Sequence, residues 1–274
     1  MLGDPFMRKS LVLAAALAFS GSAFAADLPA KAPPMAAPVH PSWTGWYAGI
    51  NGGGVWGTTE PDVHDIGPDS FFAGGNVLKV VLGGSQDFNN SGGTVGGQIG
   101  YLYQQGPAIL GLEAGFNWMN LKGSTSNSAL YPVTSPSGFT WNLEGKADFL
   151  FTFLGRVGID MGAWYPYLTG GLAVTRLKYT ATYIDTFYPS TSINSFNATK
   201  AGYAIGGGAE WRIAPHWLLR GEYLYMSFSP VEGTGQIACT PGVGLCFGAG
   251  FRTTFSFSEK FTENLGRVAL SYQW

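Results

Sequence analysis

The stretch Leu143–Asp160, LEGKADFLFTFLGRVGID, decides the fold. Its odd positions are Leu143, Gly145, Ala147, Phe149, Phe151, Phe153, Gly155, Val157 and Ile159, all apolar or glycine. Glu144, Lys146, Asp148, Thr152, Arg156 and Asp160 all fall on even positions. A period of two belongs to a strand whose two faces meet different surroundings. In a water-soluble sandwich the phenylalanines would face a core and the charges water. In a membrane barrel the phenylalanines face lipid and the charges face the lumen.

Other stretches decide between these. Leu110, Leu112, Ala114, Phe116 and Trp118 alternate with Gly111, Glu113, Gly115 and Asn117. Tyr203, Ile205, Gly207, Ala209 and Trp211 alternate with Ala204, Gly206, Gly208, Glu210 and Arg212, and Leu219, Gly221, Tyr223 and Tyr225 with Arg220 and Glu222. The polar face carries glycine, short side chains and occasional charges, as a narrow, crowded interior requires; a solvated face would be rich in Lys, Glu, Thr and Ser. Gly96, Gly100, Gly206 and Gly208 fit such crowding better than phosphate binding, since no strand-to-helix turn follows them.

The connections alternate in length. Short ones lie at residues 104–107, 161–164 and 213–216, and long polar ones at 58–92, 122–142, 184–199 and 229–254. Short turns at one end and long loops at the other are the layout of outer-membrane barrels. The predicted strands are 46–57, 93–104, 108–121, 143–160, 165–183, 200–213, 217–228 and 255–274, each longer than the roughly 9–11 residues that cross the hydrocarbon at a tilt. Pairing the last with the first leaves no edge, as lipid demands. The expected fold is therefore all-β: a closed antiparallel transmembrane β-barrel of eight strands with both termini periplasmic. NVLKVVLGG (Asn76–Gly84) is expected as an additional extracellular ribbon.

Composition agrees. Of 274 residues only 12% are charged, against about 25% in ordinary soluble domains, while 15% are aromatic and 41 are glycine. No run of about 20 apolar residues lies beyond the N-terminus, so spanning helices are not expected. A net charge of −2 gives no reason to expect nucleic acid. Residues 1–25 read as a cleaved signal peptide, with Met7-Arg8-Lys9, an apolar core from Leu11 to Phe19 and the small-x-small site Ala23-Phe24-Ala25; Met7 is an alternative start. Residues 26–42, with five prolines, read as a periplasmic Pro/Ala-rich tether, and residues 43–274 as the barrel. In the oxidising compartment that export implies, Cys239 and Cys246 are expected to form a disulfide across TPGVGL.

The inward face assigns acids Glu113, Glu144, Asp148, Glu210 and Glu222 and bases Lys146, Arg156, Arg212, Arg220 and Arg267 to the lumen. An eight-stranded barrel is just wide enough for its own side chains. An unpaired buried charge costs several kcal/mol, so five acids against five bases are expected to pair and plug the lumen. The alternative is a functional gate, or a narrow porin-type path for small solutes. In the final strand Val268, Leu270 and Tyr272 are assigned to lipid, Arg267 and Gln273 to the lumen, and Trp274 to the periplasmic rim. Trp46, Trp56, Trp118, Trp164, Trp211, Trp217 and Trp274 sit at strand ends, where amphipathic rings favour the interface.

Catalysis is not expected. The three histidines, His40, His64 and His216, share no strand face with a serine and an acid, so a nucleophile and base pair is missing. Neither metal nor cofactor is expected. The alternative places a cation at His64 among Asp62, Asp65 and Asp69, or haem there with Tyr183 and Tyr188; the plainer reading is a solvated acidic loop.

WTGWYAGINGGGVWG (43–57), YPYLTGGLAVT (165–175), GYAIGGGAEWRIAPHWLLRGEYLYMSF (202–228) and the terminal RVALSYQW (267–274) resemble the small outer-membrane β-barrel proteins of alphaproteobacteria, the RopB-type surface antigens with an OmpA-like eight-stranded barrel of the porin-like family. The resemblance covers roughly Trp43 to Trp274 and is absent from the long loops. It implies a barrel of the Gram-negative outer membrane, in contact with outer-membrane lipid and lipopolysaccharide. It also implies insertion by the barrel assembly machinery, with Val268, Leu270, Tyr272 and Trp274 as the signal. Host or small-molecule ligands at the loops are the variable part of such proteins. The anchoring role of longer OmpA-type proteins is not carried over.

Overall fold

The computed structural model describes residues 42–65, 72, 74–187, 189–239 and 252–274. The expected signal peptide, the tether up to residue 41, Asp69, Tyr188 and the Cys246 partner of the expected disulfide lie outside the described residues. The described residues form β1 (Gly45–Asp65), α1 (Gly74–Gly84), β2 (Phe88–Gln105), β3 (Ala108–Leu130), β4 (Gly138–Ile159), β5 (Trp164–Asp185), β6 (Ser190–Ala214), β7 (Trp217–Phe228), β8 (Val231–Ala238) and β9 (Arg252–Gln273). Sequence neighbours pair antiparallel from β1 to β7, β7 pairs with β9, and β9 returns to β1 from Tyr47↔Gln273 to Asp65↔Phe255. Eight strands thus close a ring. Strand β8 takes up the line of β7 after Ser229-Pro230 and pairs with β9 beyond it, from Val231↔Glu259 to Ala238↔Arg252.

Short turns close one end. Gly106 and Gly162 adopt the left-handed region, with φ of 59° and 91°, a backbone that glycine enters without steric cost. At the other end β1, β2, β3, β4 and β6 run further than predicted, whereas β5 and β7 end close to their predicted bounds. About half of what alternation suggested to be long loops is strand, because β1, β3 and β6 above all continue well past their apolar outer faces.

Along the ring wall the two faces exchange character. Near the short turns the outer face is apolar, with Ile50, Leu112, Phe153, Leu168, Ile205 and Val268 all exposed, and the inner face carries a band of buried charges between apolar layers. Towards the long-loop end the inner face is apolar, holding Val63, Trp141, Leu143, Tyr183, Phe255 and Phe257, all buried. Lipid against the first zone and water against the second explains the inversion, since each surrounding takes the matching surface. Aromatic pairs mark both borders: Trp46 with Tyr101, Trp164 with Trp211 and Trp217 with Tyr272 below, Trp56 with Tyr223, Phe116 with Trp118 and Tyr203 with Tyr225 above.

The sequence makes the exchange in two ways. In β9 the apolar residues change parity, from inward Phe255, Phe257, Phe261 and Leu265 to outward Val268, Leu270 and Tyr272. In β4 the parity stays odd and the backbone changes instead. Its register shifts against β5 between Ala147 and Leu150 and against β3 between Trp118 and Leu121. A bulge there turns every later side chain to the other face.

This corrects three lumen assignments. Beyond the bulge Glu144, Lys146 and Asp148 point outward and are half-exposed, with Lys146 2.6 Å from Glu144 and Lys178 2.6 Å from Asp148. Leu143 and Ala147, expected on lipid, are buried inside. A second correction concerns Asn76–Gly84, which is helical as part of α1 rather than a ribbon. Val77, Val80, Val81 and Gly84 follow a three-to-four spacing that gathers them on one side of a helix. Val80 is fully buried and its carbonyl accepts a hydrogen bond from Trp141 Nε1 at 2.9 Å, which seats α1 on the upper aromatic cluster.

Candidate functional site

Six of the ten expected lumen charges converge in the zone enclosed by the apolar outer face. Glu113 of β3 stands at the centre. Its Oε2 accepts from Arg156 Nη2 at 2.7 Å, from Tyr47 Oη at 2.7 Å and from Arg220 Nη1; its Oε1 accepts from Arg267 Nη2 at 3.1 Å and from Arg220 Nη2 at 3.2 Å. Glu222 accepts from Arg267 Nε at 2.7 Å and from the Tyr167 hydroxyl at 2.6 Å. Glu210 Oε2 accepts from Arg156 Nη1 at 3.2 Å and the Tyr165 hydroxyl at 3.0 Å. Three carboxylates and three guanidinium groups, none more than 5% exposed, form one cluster reaching across the ring from β3 and β4 to β6, β7 and β9.

Local sequence makes room for it. A Cβ at Gly100 would collide with the Tyr47 hydroxyl, and one at Gly208 would lie 2.8 Å from the Tyr167 hydroxyl. Only glycine leaves these tyrosines the space to reach Glu113 and Glu222. The Arg156 guanidinium lies 4.7 Å from the centroid of the Tyr167 ring and 5.7 Å from that of Tyr47, so its faces meet aromatic rings while its edges meet carboxylates. A neutral polar chain lies beside the cluster: Asn117 donates to Asn51, Asn51 to Gln98, and Gln98 to Ser271 at 3.0 Å.

Apolar layers close the ring on both sides of the charges. Towards the short turns lie Trp43, Tyr47, Leu102, Ile109, Tyr165 and Leu218, and towards the long loops Leu150, Leu154, Leu177, Leu224, Met226 and Leu265. Arg212 does not join the carboxylates. It lies 4.5 Å from the Trp43 ring centroid and donates to the carbonyls of Pro215 and Ser42, both at 3.1 Å, at the short-turn mouth. Val268, Leu270 and Tyr272 are exposed on the outer side of β9, and Trp274, just past its end, is exposed as well.

Of the described residues of the ligand alternative, Asp62 and His64 meet and Tyr183 lies apart from them. Asp62 and His64 lie on strand β1 with both side chains outside, 2.9 Å apart and about 60% exposed. Tyr183 is buried inside and hydrogen-bonded to Tyr131 and Asp185. No group of three or more His, Cys, Asp or Glu suited to a metal occurs among the described residues. Sequence reasoning missed Tyr47, Tyr165 and Tyr167. Their parity was the available signal: Tyr165 and Tyr167 alternate in step with Thr169, on the face opposite Leu168.

The model of the outer membrane protein beta-barrel domain family matches residues 11–243. The chain is 37% identical over 229 residues to the 31 kDa outer-membrane immunogenic protein of Brucella melitensis biotype 1, covering 79% of this chain and 86% of that protein. It is 29% identical over 248 residues to the 25 kDa outer-membrane immunogenic protein of Brucella ovis, covering 87% and 98%. A 22 kDa outer membrane protein of Rhizobium leguminosarum bv. viciae is 27% identical over 196 residues, covering 70% and 68%.

Proposed function

The chain belongs to the outer membrane protein β-barrel family, and from that premise we propose that it is a structural, non-enzymatic barrel of the Gram-negative outer membrane. Its lumen is sealed by its own side chains, and its long strand extensions stand outside the cell as a surface antigen. The single observation that carries this reading is Glu113, on which Arg156, Arg220 and Arg267 converge from three other strands. A charge cluster that is matched three against three, buried and capped by apolar layers leaves no hydrated path, and moving an ion through it would break pairs that are costly to leave unpaired. Short turns then face the periplasm and the long-loop end the exterior. Val268, Leu270, Tyr272 and Trp274 serve as the signal to the assembly machinery.

Solute release tests the seal. Proteoliposomes loaded with small sugars and amino acids should lose them no faster than protein-free vesicles. Rapid release of the smallest solutes alone would contradict the seal and establish the narrow-channel alternative.

A further inference from the structure

The bulge in β4 places a basic row on the outer wall. Lys122 of β3 is paired abreast with Lys146 of β4, and Lys146 with Lys178 of β5. Directly opposed like charges destabilise a sheet, because facing Cβ atoms lie only about 5 Å apart. Two carboxylates temper this row, Glu144 on Lys146 and Asp148 on Lys178. Lys122 has no carboxylate partner among the described residues, and neither has Arg176, whose guanidinium lies 5.3 Å from the Phe149 ring centroid. Four cations against two acids leave a positive excess on a chain whose net charge is −2. On the opposite wall, above Trp56, Glu60 offsets Lys260 at 3.8 Å and no comparable row exists among the described residues.

What lies below and above the row defines its partner. Below it Trp118, Phe151 and Leu172 are exposed on the apolar outer face. Above it the same three strands form a shallow groove of about 390 Å³ lined by Ser124, Ser126, Asn142, Thr180 and Thr182, together with the Glu144 carboxylate that Lys146 neutralises. Apolar surface, cations and hydroxyls follow one another up a single wall, beside the upper aromatic border.

We propose that this wall of β3, β4 and β5 is a binding site for a phosphorylated glycolipid of the outer leaflet. Acyl chains lie along Trp118, Phe151 and Leu172, a phosphate is held by Lys122, Lys146, Lys178 and Arg176, and the sugar occupies the hydroxyl groove. The phosphate relieves the repulsion within the lysine row, so the ligand stabilises a sheet that is otherwise strained electrostatically. Basic clusters at a membrane surface attract anionic headgroups on the same grounds.

The test uses the full chain folded in detergent micelles, with purified lipopolysaccharide as probe and folding verified by gel mobility without boiling. Binding should weaken about tenfold in Lys122→Gln/Lys146→Gln/Lys178→Gln, the scale of three exposed ion pairs, and stay unchanged in Lys260→Gln. Enzymatically dephosphorylated lipopolysaccharide should bind wild-type protein about as weakly as intact lipopolysaccharide binds the triple variant. That arm needs no variant to fold. Equal binding of the phosphorylated and dephosphorylated forms would overturn the proposal. So would equal losses in the triple variant and Lys260→Gln. Full displacement by inorganic phosphate would also overturn it, in favour of a free-anion site.

Discussion

At the scale of single residues, Glu113 joins three arginines and the Tyr47 hydroxyl across the ring. Substitution Glu113→Gln keeps its volume but removes the charge that three guanidinium groups share. Uncompensated buried charge costs about 3–5 kcal/mol, so the variant should unfold at markedly lower urea concentration than wild type in the same micelles. An unchanged midpoint would mean that the arginines find solvent and that the cluster is hydrated. Glu259 tests a different zone, beyond the upper aromatic border. Burial pushes its carboxyl up to about 9, against the opposing influence of the Tyr179 hydroxyl and with a further rise from Asp62. A pKa raised on folding above the ordinary value of about 4.3 means that the folded state holds the proton more tightly. Stability from this group is thus fully present below about pH 4.3 and is lost as pH rises towards 9. Urea midpoints should fall between pH 5 and pH 9 in wild type and fall less steeply in Glu259→Gln; parallel profiles would refute the assignment.

Strands rather than residues carry the inversion of faces. In β4 one bulge at Asp148–Phe149 lets a continuous odd-numbered apolar set serve first lipid and then the interior. Deleting Gly145, beyond the bulge, should drive Glu144 inward and expose Leu143 and Trp141, because a one-residue slip reverses every side chain beyond it. The deletion should abolish the compact unboiled gel band, whereas deleting Ala163 in a short turn should leave most of it. Equal behaviour would show that the facing of the upper half of β4 carries no special role. The membrane zone was legible in the amino-acid sequence because lipid and a crowded lumen impose opposite demands at every second residue, as Leu110 to Trp118 shows. The upper zone was not, because a water-exposed strand with an apolar inner face has the same period. Leu143 and Phe149 share parity, and only the backbone shift between them separates interior from lipid. Nor did pattern distinguish a helix from a ribbon in NVLKVVLGG, where a short apolar run fits either and packing of Val80 under Trp141 decides. The Glu113 cluster was half visible: the charges could be listed from parity, but which of them meet depends on cross-barrel distances that no local pattern contains.

For the whole molecule, strand extension and lumen filling form one design. An eight-strand ring has little room, and here the room is taken by charges within the membrane zone and by aromatics and α1 above it. The outer wall then becomes the surface available for interaction: strand extensions above, and a lysine row at the lipid border. Relatives named as immunogenic outer-membrane proteins fit a barrel whose exposed portion is built from ordered strand. Single-channel recording of wild-type protein in planar lipid bilayers tests the sealed barrel most directly. Membranes containing inserted protein should show no steady conductance steps above the bare-bilayer baseline, whereas long-lived, uniform open levels would show that the Glu113 cluster leaves a water-filled path and that the lumen is a pore.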